Sequence, residues 1–100
     1  MPTTTKALFR GAAALTSTTL YTVPSATTTV VSNIVVTNTA ASAATFTLNL
    51  NGVSIGTSVI VAANDSTVID MKQVLATTQT ITGLASATTV NFHISGVEIS

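Results

Sequence analysis

Apolar and polar residues alternate strictly over Ala44–Leu50, and the dipeptide Asn51-Gly52 follows at once. Successive side chains of a β-strand point to opposite faces of the sheet, so a period of two predicts a strand with one buried face. Both central residues of a type I′ turn need a positive φ angle, which Asn and Gly adopt most easily. The segment therefore predicts a β-hairpin with Asn51 and Gly52 in its turn and residues 53–55 in the returning strand.

The same alternation marks strands elsewhere in the chain. We predict them at residues 20–23, 28–39, 58–61, 67–71, 78–84 and 88–99. In the second of these, Val30 shares a face with Ile34 while Val31 lies on the opposite face, so both faces are apolar. This pattern predicts a central strand that is covered on both sides or that contacts another subunit. Only residues 71–76 have a pattern compatible with a helical turn.

The last predicted strand contains a change of phase. Phe92 and Ile94 share one face, but the next apolar residue, Val97, is one residue out of step. An extra residue at Ser95-Gly96 would restore the phase, and a glycine beside a phase change is typical of a β-bulge. We therefore predict a bulge at Ser95 and Gly96.

Short strands separated by turn residues predict an all-β fold. Seven or eight of them are typical of an antiparallel β-sandwich, either immunoglobulin-like or a jelly roll. Composition agrees, because the 22 Thr residues and the many Val and Ile residues are β-branched and fit a pleated sheet better than a helix. A chain of 100 residues is an ordinary size for one domain.

Residues 1–17 differ from the rest because alternation is weak there. We assign them to an N-terminal arm and residues 18–100 to the β-sandwich domain. The arm is expected to lie on a neighbouring subunit or to add a strand to it. Its one alternating stretch supplies the candidate interaction residues Lys6, Leu8, Phe9 and Arg10.

Charge is scarce throughout the chain and excludes several classes of function. Charged residues make up 6% of the sequence, against about 25% in ordinary soluble domains, and residues 11–64 carry none. Three basic residues cannot form the cluster that phosphate backbones require, so no nucleic-acid partner is expected. Without cysteine the chain has no disulfide and no thiolate ligand or nucleophile.

Membrane insertion and secretion are not predicted either. No window approaches the roughly 20 apolar residues that a membrane span needs, because Thr and Ser recur every few positions. Near the N-terminus, Arg10 interrupts any apolar run long enough for a secretory signal. We therefore expect a protein that is made in the cytoplasm and does not enter a membrane.

Few residues could carry chemistry. His93 is the single histidine, and no local partner marks it as a general base. Asp65 lies in a predicted turn, where it would accept hydrogen bonds from backbone amides, and Asp70 is close in sequence to Lys72. With Glu98 as the remaining carboxylate, we predict no catalytic residue, no metal site and no cofactor.

Threonine pairs suggest an alternative function, in which the hydroxyl-rich surface binds a ligand. Thr-x-Thr occurs at residues 45–47 and 80–82, which could belong to an array that binds sugar or ice. Such arrays need regular ladders on adjacent strands, and two examples do not establish one. One Tyr and no Trp leave little aromatic surface for stacking on a sugar ring or a base.

Four segments occur in an order that resembles a known group of proteins. They are LYTVP at residues 20–24, IVVTNT at 34–39, LNG at 50–52 and NFHISGVEI at 91–99. Together they resemble small virion proteins of tailed bacteriophages, over residues 18–99. The shared motifs are structural, so the resemblance implies a β-sandwich and supplies no catalytic residue. It further implies a protein that decorates or cements a capsid, or a repeated element of a tail.

The leading functional expectation is therefore a capsid decoration protein, located in the virion after synthesis in the host cytoplasm. Its expected partners are the major capsid protein or other virion proteins, and copies of itself, with a trimer as one candidate state. Edge strands poor in charge favour assembly, since they lack the usual protection against pairing. A tail or fibre accessory module and a carbohydrate-binding module for host adhesion are the alternatives. An enzyme is not expected.

Overall fold

Eight β-strands, all paired antiparallel, make up the fold that the computed structural model describes for residues 3–100. They are β1 (Thr3–Ala12), β2 (Thr18–Thr22), β3 (Thr28–Asn38), β4 (Ala44–Leu50), β5 (Val53–Val61), β6 (Asp65–Leu75), β7 (Thr80–Ala85) and β8 (Val90–Ile99). No helix occurs between residues 3 and 100. The predicted all-β antiparallel sandwich is confirmed.

The strands form two four-stranded sheets with a nested order. Sheet 1 has the order β1-β8-β3-β6 and sheet 2 the order β2-β7-β4-β5. The first strand pairs with the eighth, the second with the seventh, the third with the sixth and the fourth with the fifth. This nesting is that of one long hairpin wound into a barrel-like sandwich, which defines a jelly roll rather than an immunoglobulin-like domain.

Each side of the sandwich is bordered by one edge strand from each sheet. β1 and β2 contact each other along one side, which we call the β1/β2 margin, and β5 and β6 do so along the other, the β5/β6 margin. The molecule measures 45 × 21 × 18 Å, so both margins are long relative to its thickness. Only these four strands have an edge without a partner in the described part of the chain.

The core consists of the inward-facing residues of the central strands. On β4, burial alternates as the sequence predicts, with Phe46 and Leu48 fully enclosed. The rings of Phe46 and Phe92 meet edge to face across the two sheets, with centroids 6.1 Å apart and planes at 75°. Burying a side chain of this size contributes about 1.5–3 kcal/mol, so the core contributes most of the stability of the fold.

The hairpin between β4 and β5 has the predicted turn. Leu50 is paired with Val53, which leaves two residues in the loop. Asn51 has a φ of 50° and Gly52 a φ of 77°, as a type I′ turn requires at both central positions.

The irregularity expected at Ser95-Gly96 lies at that level, but its extra residues belong to the neighbouring strands. β8 alternates without interruption from Val90 to Gly96. Opposite Ser95, the register shifts by one residue in β1 at Leu8 and in β3 at Ser32. A Cβ atom on Gly96 would lie 2.4 Å from the backbone oxygen of Val30, so the glycine is required for space and not for a positive φ.

The bulge in β3 also corrects the predicted faces of that strand. Val31 is completely buried beside Ile34, whereas Val30 is only half-buried. Because Ser32 is the extra residue, the alternation restarts there, and Val30 and Val31 exchange the faces that an unbroken period of two assigns to them. Residues 71–76, for which a helical turn was considered, instead continue β6 as far as Leu75.

The N-terminal segment forms part of the sandwich, in contrast to the expected separate arm. β1 pairs with β8 over its whole length as the edge strand of sheet 1. Ala13 and Ala14 extend this attachment, since Ala13 N–H donates to Val90 O at 2.8 Å and Ala14 O accepts from Ala85 N–H at 2.9 Å. The bulge at Leu8 interrupts the period of two, which explains why the sequence shows so little alternation here.

Candidate interaction surfaces

All six charged side chains belong to one of the two sheets. Lys6 and Arg10 lie on β1, Glu98 lies on β8, and the remaining three, Asp65, Asp70 and Lys72, lie on β6. These are all strands of sheet 1, so the four strands of sheet 2 carry no charge. Arg10, Asp70 and Lys72 are exposed at outer positions of sheet 1, whereas Lys6 and Glu98 pair at the β1/β2 margin. The two outer faces of the sandwich are therefore chemically different, although the sequence shows only a long neutral stretch.

The outer face of sheet 2 is rich in hydroxyl and amide groups. Thr45, Thr47 and Asn49 alternate with the buried residues of β4, and the neighbouring strand β7 presents Thr80 and Thr82 in the same way. The two Thr-x-Thr segments are therefore on adjacent strands, and the Asn49 amide donates to the Thr82 hydroxyl at 3.4 Å.

This array is not a continuous ladder of threonines. Leu84 lies opposite Thr47, and Asn49 lies opposite Thr82. The Thr47 hydroxyl also accepts a hydrogen bond from the backbone N–H of Ser58 at 3.0 Å, which engages it in the structure of the sheet. The face is thus neutral and mixed, with polar groups interrupted by an aliphatic side chain.

Aliphatic side chains are exposed along the β5/β6 margin. On β5, Val53 and Ile60 are 68% and 70% exposed, and on β6 the values for Val68 and Val74 are 59% and 63%. Single exposed aliphatic residues are ordinary, but several on adjacent edge strands form the kind of surface that a partner covers.

At the β1/β2 margin, the structure divides the four predicted interaction residues into two groups. Leu8 is 8% exposed and belongs to the core, and Phe9 packs against that core from a half-buried position. The bulge causes this, because Leu8 is the extra residue and both Leu8 and the next residue, Phe9, turn inward. Only Lys6 and Arg10 remain accessible to a partner.

A polar network ties this margin to the centre of the sandwich. The Tyr21 hydroxyl on β2 bonds to the carboxylate of Glu98 on β8 and lies 2.9 Å from the Thr29 hydroxyl on β3. Lys6 Nζ lies 3.5 Å from the other oxygen of Glu98. Burial, together with the hydrogen bond to Glu98, raises the pKa of the Tyr21 hydroxyl above its ordinary value. The network joins the two sheets through residues that are 77 positions apart, which no local pattern reveals.

A second network, which the sequence did not predict, surrounds Asn38. Its side chain is fully buried, and its amide donates to the backbone oxygens of Ser42 and Val61 at 2.8 and 3.3 Å. Its carbonyl oxygen accepts from the Ala40 N–H at 3.1 Å and from the Thr89 hydroxyl at 3.2 Å. Buried polar groups are costly without hydrogen-bond partners, and these bonds satisfy both ends of the Asn38 amide. Because the partners lie in or beside three loops, Asn38 holds these loops together at one end of the sandwich.

The remaining candidate residues are dispersed. His93 lies on sheet 1 between Arg10 on β1 and Val35 on β3, and Asp65 accepts a hydrogen bond from the Ser66 N–H at 2.8 Å. Within residues 3–100, no three His, Asp or Glu side chains come close enough to hold a metal ion. The same residues contain no helix that is long and apolar enough to cross a membrane.

A shallow depression of about 400 Å³ lies where the bulges meet in sheet 1. Lys6 and Arg10 border it together with the hydroxyl-bearing residues Ser32 and Ser95. The Ser32 hydroxyl donates to the backbone oxygen of Ser95 at 3.0 Å, so it is already engaged within the fold. The depression is open to solvent.

Comparisons of this chain with protein-family models, with curated proteins and with solved structures found no match. The fold and the two contrasting faces are therefore the observations from which a function has to be argued.

Proposed function

We propose that this protein is a structural component of a phage virion, and that its main role is to decorate and stabilise the capsid by binding the lattice of the major capsid protein. The observation that carries the proposal is the complete absence of charge from the strands of sheet 2. In this role, sheet 2 contacts the lattice, and the exposed charges of Arg10, Asp70 and Lys72 keep the outer face of sheet 1 hydrated.

A neutral face suits a protein that works in a fixed assembly. Contacts made through buried apolar area and backbone hydrogen bonds are little affected by salt, unlike contacts between exposed charges. A repeating lattice also allows many individually weak contacts to act together.

Two further observations support the proposal. The segments at residues 20–24, 34–39, 50–52 and 91–99 resemble those of small virion proteins of tailed bacteriophages. Jelly-roll sandwiches recur in viral capsid domains, although the same fold also serves lectins and cupins. Because a fold alone does not define a function, the neutral face remains the main argument.

The proposal is tested by adding the purified protein back to phage particles that lack it. We expect the particles to withstand higher temperature once the protein is bound, and occupancy to change little between low and moderately high salt. Thr45→Lys, which places a charge on the outer face of sheet 2, is expected to reduce occupancy strongly. Asn91→Lys is the matched control, because Asn91 lies at a half-buried outer position of sheet 1.

The same experiment distinguishes the alternative roles. If particles with and without the protein are equally stable to heat, but only those with the protein adsorb to host cells, a carbohydrate-binding adhesion module is favoured over a cement. Density for the protein on the tail in electron micrographs would favour a tail or fibre accessory module. Equal effects of Thr45→Lys and Asn91→Lys would contradict the assignment of sheet 2 as the attachment face.

A further inference from the structure

The free edge of β6 has no hydrogen-bonded strand partner within the described residues. β6 pairs with β3 only, so the backbone N–H and C=O groups on its other side have no strand partner. On the outer face of this strand, Val68, Asp70, Lys72 and Val74 follow one another at alternate positions and are all exposed. The alternation continues through Met71 and Lys72, although the register against β3 shifts by one residue there. An edge that is long, exposed and partly aliphatic is suited to pairing with another strand.

The order of these side chains is complementary to itself. When two β6 strands are placed antiparallel with Met71 opposite Met71 of a second copy, Val68 faces Val74 and Asp70 faces Lys72 of the second copy. Directly opposite residues of an antiparallel pair lie on the same face, so all four contacts form on the outer surface of a continuous sheet. Each opposite-charge pair and each aliphatic pair then occurs twice, as two-fold symmetry requires.

We propose that two copies of this chain associate through their β6 edges, antiparallel and with a two-fold axis at Met71, so that sheet 1 continues across the dimer as eight strands. The partner is a second copy because the charge pattern of β6 matches itself. This inference does not depend on the proposed role in a virion.

Other registers lose this complementarity. Moving the axis by one residue, to Asp70 or to Lys72, places like charges opposite each other, which is unfavourable. Moving it by two residues leaves both charges opposite uncharged side chains. An axis between two residues would set outer side chains against inner ones and so break the alternation of the sheet.

The rest of the margin enlarges the surface that the second copy covers. A stable interface buries about 800 Å² on each partner, and the described chain exposes 5113 Å² in total. β5 contacts β6 along this margin and carries the exposed Val53 and Ile55 in the other sheet. Aliphatic area from both strands therefore contributes affinity, while the exposed Asp70–Lys72 pairs mainly select the register.

Cysteine cross-linking tests the register directly, because the natural chain has no cysteine. Opposite residues have Cα atoms about 4.5–5.5 Å apart, within the range that a disulfide spans. The double variant Val68→Cys with Val74→Cys is therefore expected to form covalent dimers on mild oxidation. Each single variant should remain unlinked, because its two cysteines would be about 20 Å apart across the axis. Linking of a single variant as readily as the double variant would overturn the proposal.

Charge exchange tests the self-complementarity without cysteine. Lys72→Asp alone and Asp70→Lys alone each set like charges opposite one another twice per dimer, and each should weaken dimerisation by roughly tenfold or more. Combining the two substitutions exchanges the charges and should restore the dimer. Arg10→Asp is the matched control, because it makes the same kind of change on the exposed part of β1 at the opposite margin.

Dimerisation is measured by analytical ultracentrifugation over a concentration series, and circular dichroism verifies that each variant is folded. A natural chain that stays monomeric up to millimolar concentration would overturn the proposal. So would a combined charge exchange that does not restore the dimer, or an effect of Arg10→Asp as large as that of Lys72→Asp.

Discussion

The two margins of the sandwich differ in the exposure of their apolar side chains, which are buried at one margin and exposed at the other. At the β1/β2 margin, Leu8 and Phe9 turn into the core, and the ionic group of Lys6 contacts Glu98. At the β5/β6 margin, Val68 and Val74 extend into solvent from a strand with a free edge. Both margins are built from edge strands of the same two sheets, so the difference does not arise from their position in the fold.

At the β1/β2 margin, both edge strands contain an extra residue, Leu8 in β1 and Leu20 in β2. The extra residue at Leu8 lets two consecutive side chains of β1 reach the interior, so the apolar side chains of this edge strand are covered within the molecule. On β6, Met71 and Lys72 together oppose the single residue Ser32 of β3, but exposed and less exposed side chains still alternate over residues 66–72. The register of β5 against β4 also shifts, so irregularities occur at both margins, and the margins differ in which side chains those irregularities turn inward.

The largest expected effect comes from removing a side chain that closes the β1/β2 margin. Leu8→Ala should lower the free energy of unfolding by about 3 kcal/mol, because it leaves a cavity beneath an edge strand. Val68→Ala, at the other margin, should change it by less than about 0.5 kcal/mol in the monomer. Urea denaturation at low protein concentration measures both. Similar losses for the two variants would remove the contrast between the margins.

A smaller effect is expected at the glycine around which the bulges of sheet 1 are arranged. Gly96→Ala should cost about 2 kcal/mol, because the added methyl group would lie 2.4 Å from a backbone oxygen of the central strand β3. Gly11→Ala, also on a strand, is the control, since its Cβ would meet only the Phe9 ring at 3.4 Å. Thermal unfolding should therefore separate the two alanine variants. If both melt like the parent, the close approach at Gly96 is wrong.

In the turn that leads from β4 into the edge strand β5, Gly52 is needed for its backbone angle and not for space. No atom lies within 4 Å of the position that a Cβ on Gly52 would occupy, but its φ is 77°. Gly52→Val should therefore cost about 1–2 kcal/mol through backbone strain. Gly52→Asn should cost only a few tenths of a kcal/mol, because asparagine tolerates this angle. Chemical denaturation of the pair would show whether side-chain type or size governs this turn.

The smallest effect is confined to alkaline pH. Because the pKa of Tyr21 is raised in the folded state, its contribution to stability is complete below the unfolded-state value of about 10 and is lost as pH rises through the folded-state value. Stability of the natural protein should thus decline at high pH more steeply than that of Tyr21→Phe. As this is the single tyrosine, absorbance at 295 nm follows its ionisation directly. Parallel pH profiles of the two proteins would contradict a stabilising role of the neutral hydroxyl.

Local patterns were sufficient where neighbouring residues alone decide the outcome. The alternation over Ala44–Leu50 and the Asn51-Gly52 turn depend on backbone preferences within a few residues, and the structure contains both. The phase change near Gly96 was also visible in the sequence, at the correct level of the sheet. Its assignment to β8 failed because a bulge is a relation between two strands, and one strand shows only that the phases differ.

The interaction surfaces were less accessible to sequence reasoning. Lys6, Leu8, Phe9 and Arg10 were grouped because they lie in the one alternating stretch of the N-terminal segment. Pairing with β8 instead buries Leu8 in the core and packs Phe9 against it. The self-complementary order around Met71 is present in the sequence, yet it has meaning only for a strand with a free edge. That condition depends on the order of strands in sheet 1.

By itself, the sequence determined that this protein is an antiparallel β-sandwich, since β-branched residues, a period of two and short turns all act locally. Tertiary structure alone decided that the sandwich is a jelly roll and that the charges collect on one sheet. It likewise decided that Asn38 and the Tyr21–Glu98 pair connect distant segments. The physical reason is that these features come from pairing between residues up to 96 positions apart, such as Thr3 and Ile99, and the register of such pairs is set by the fit of the whole core.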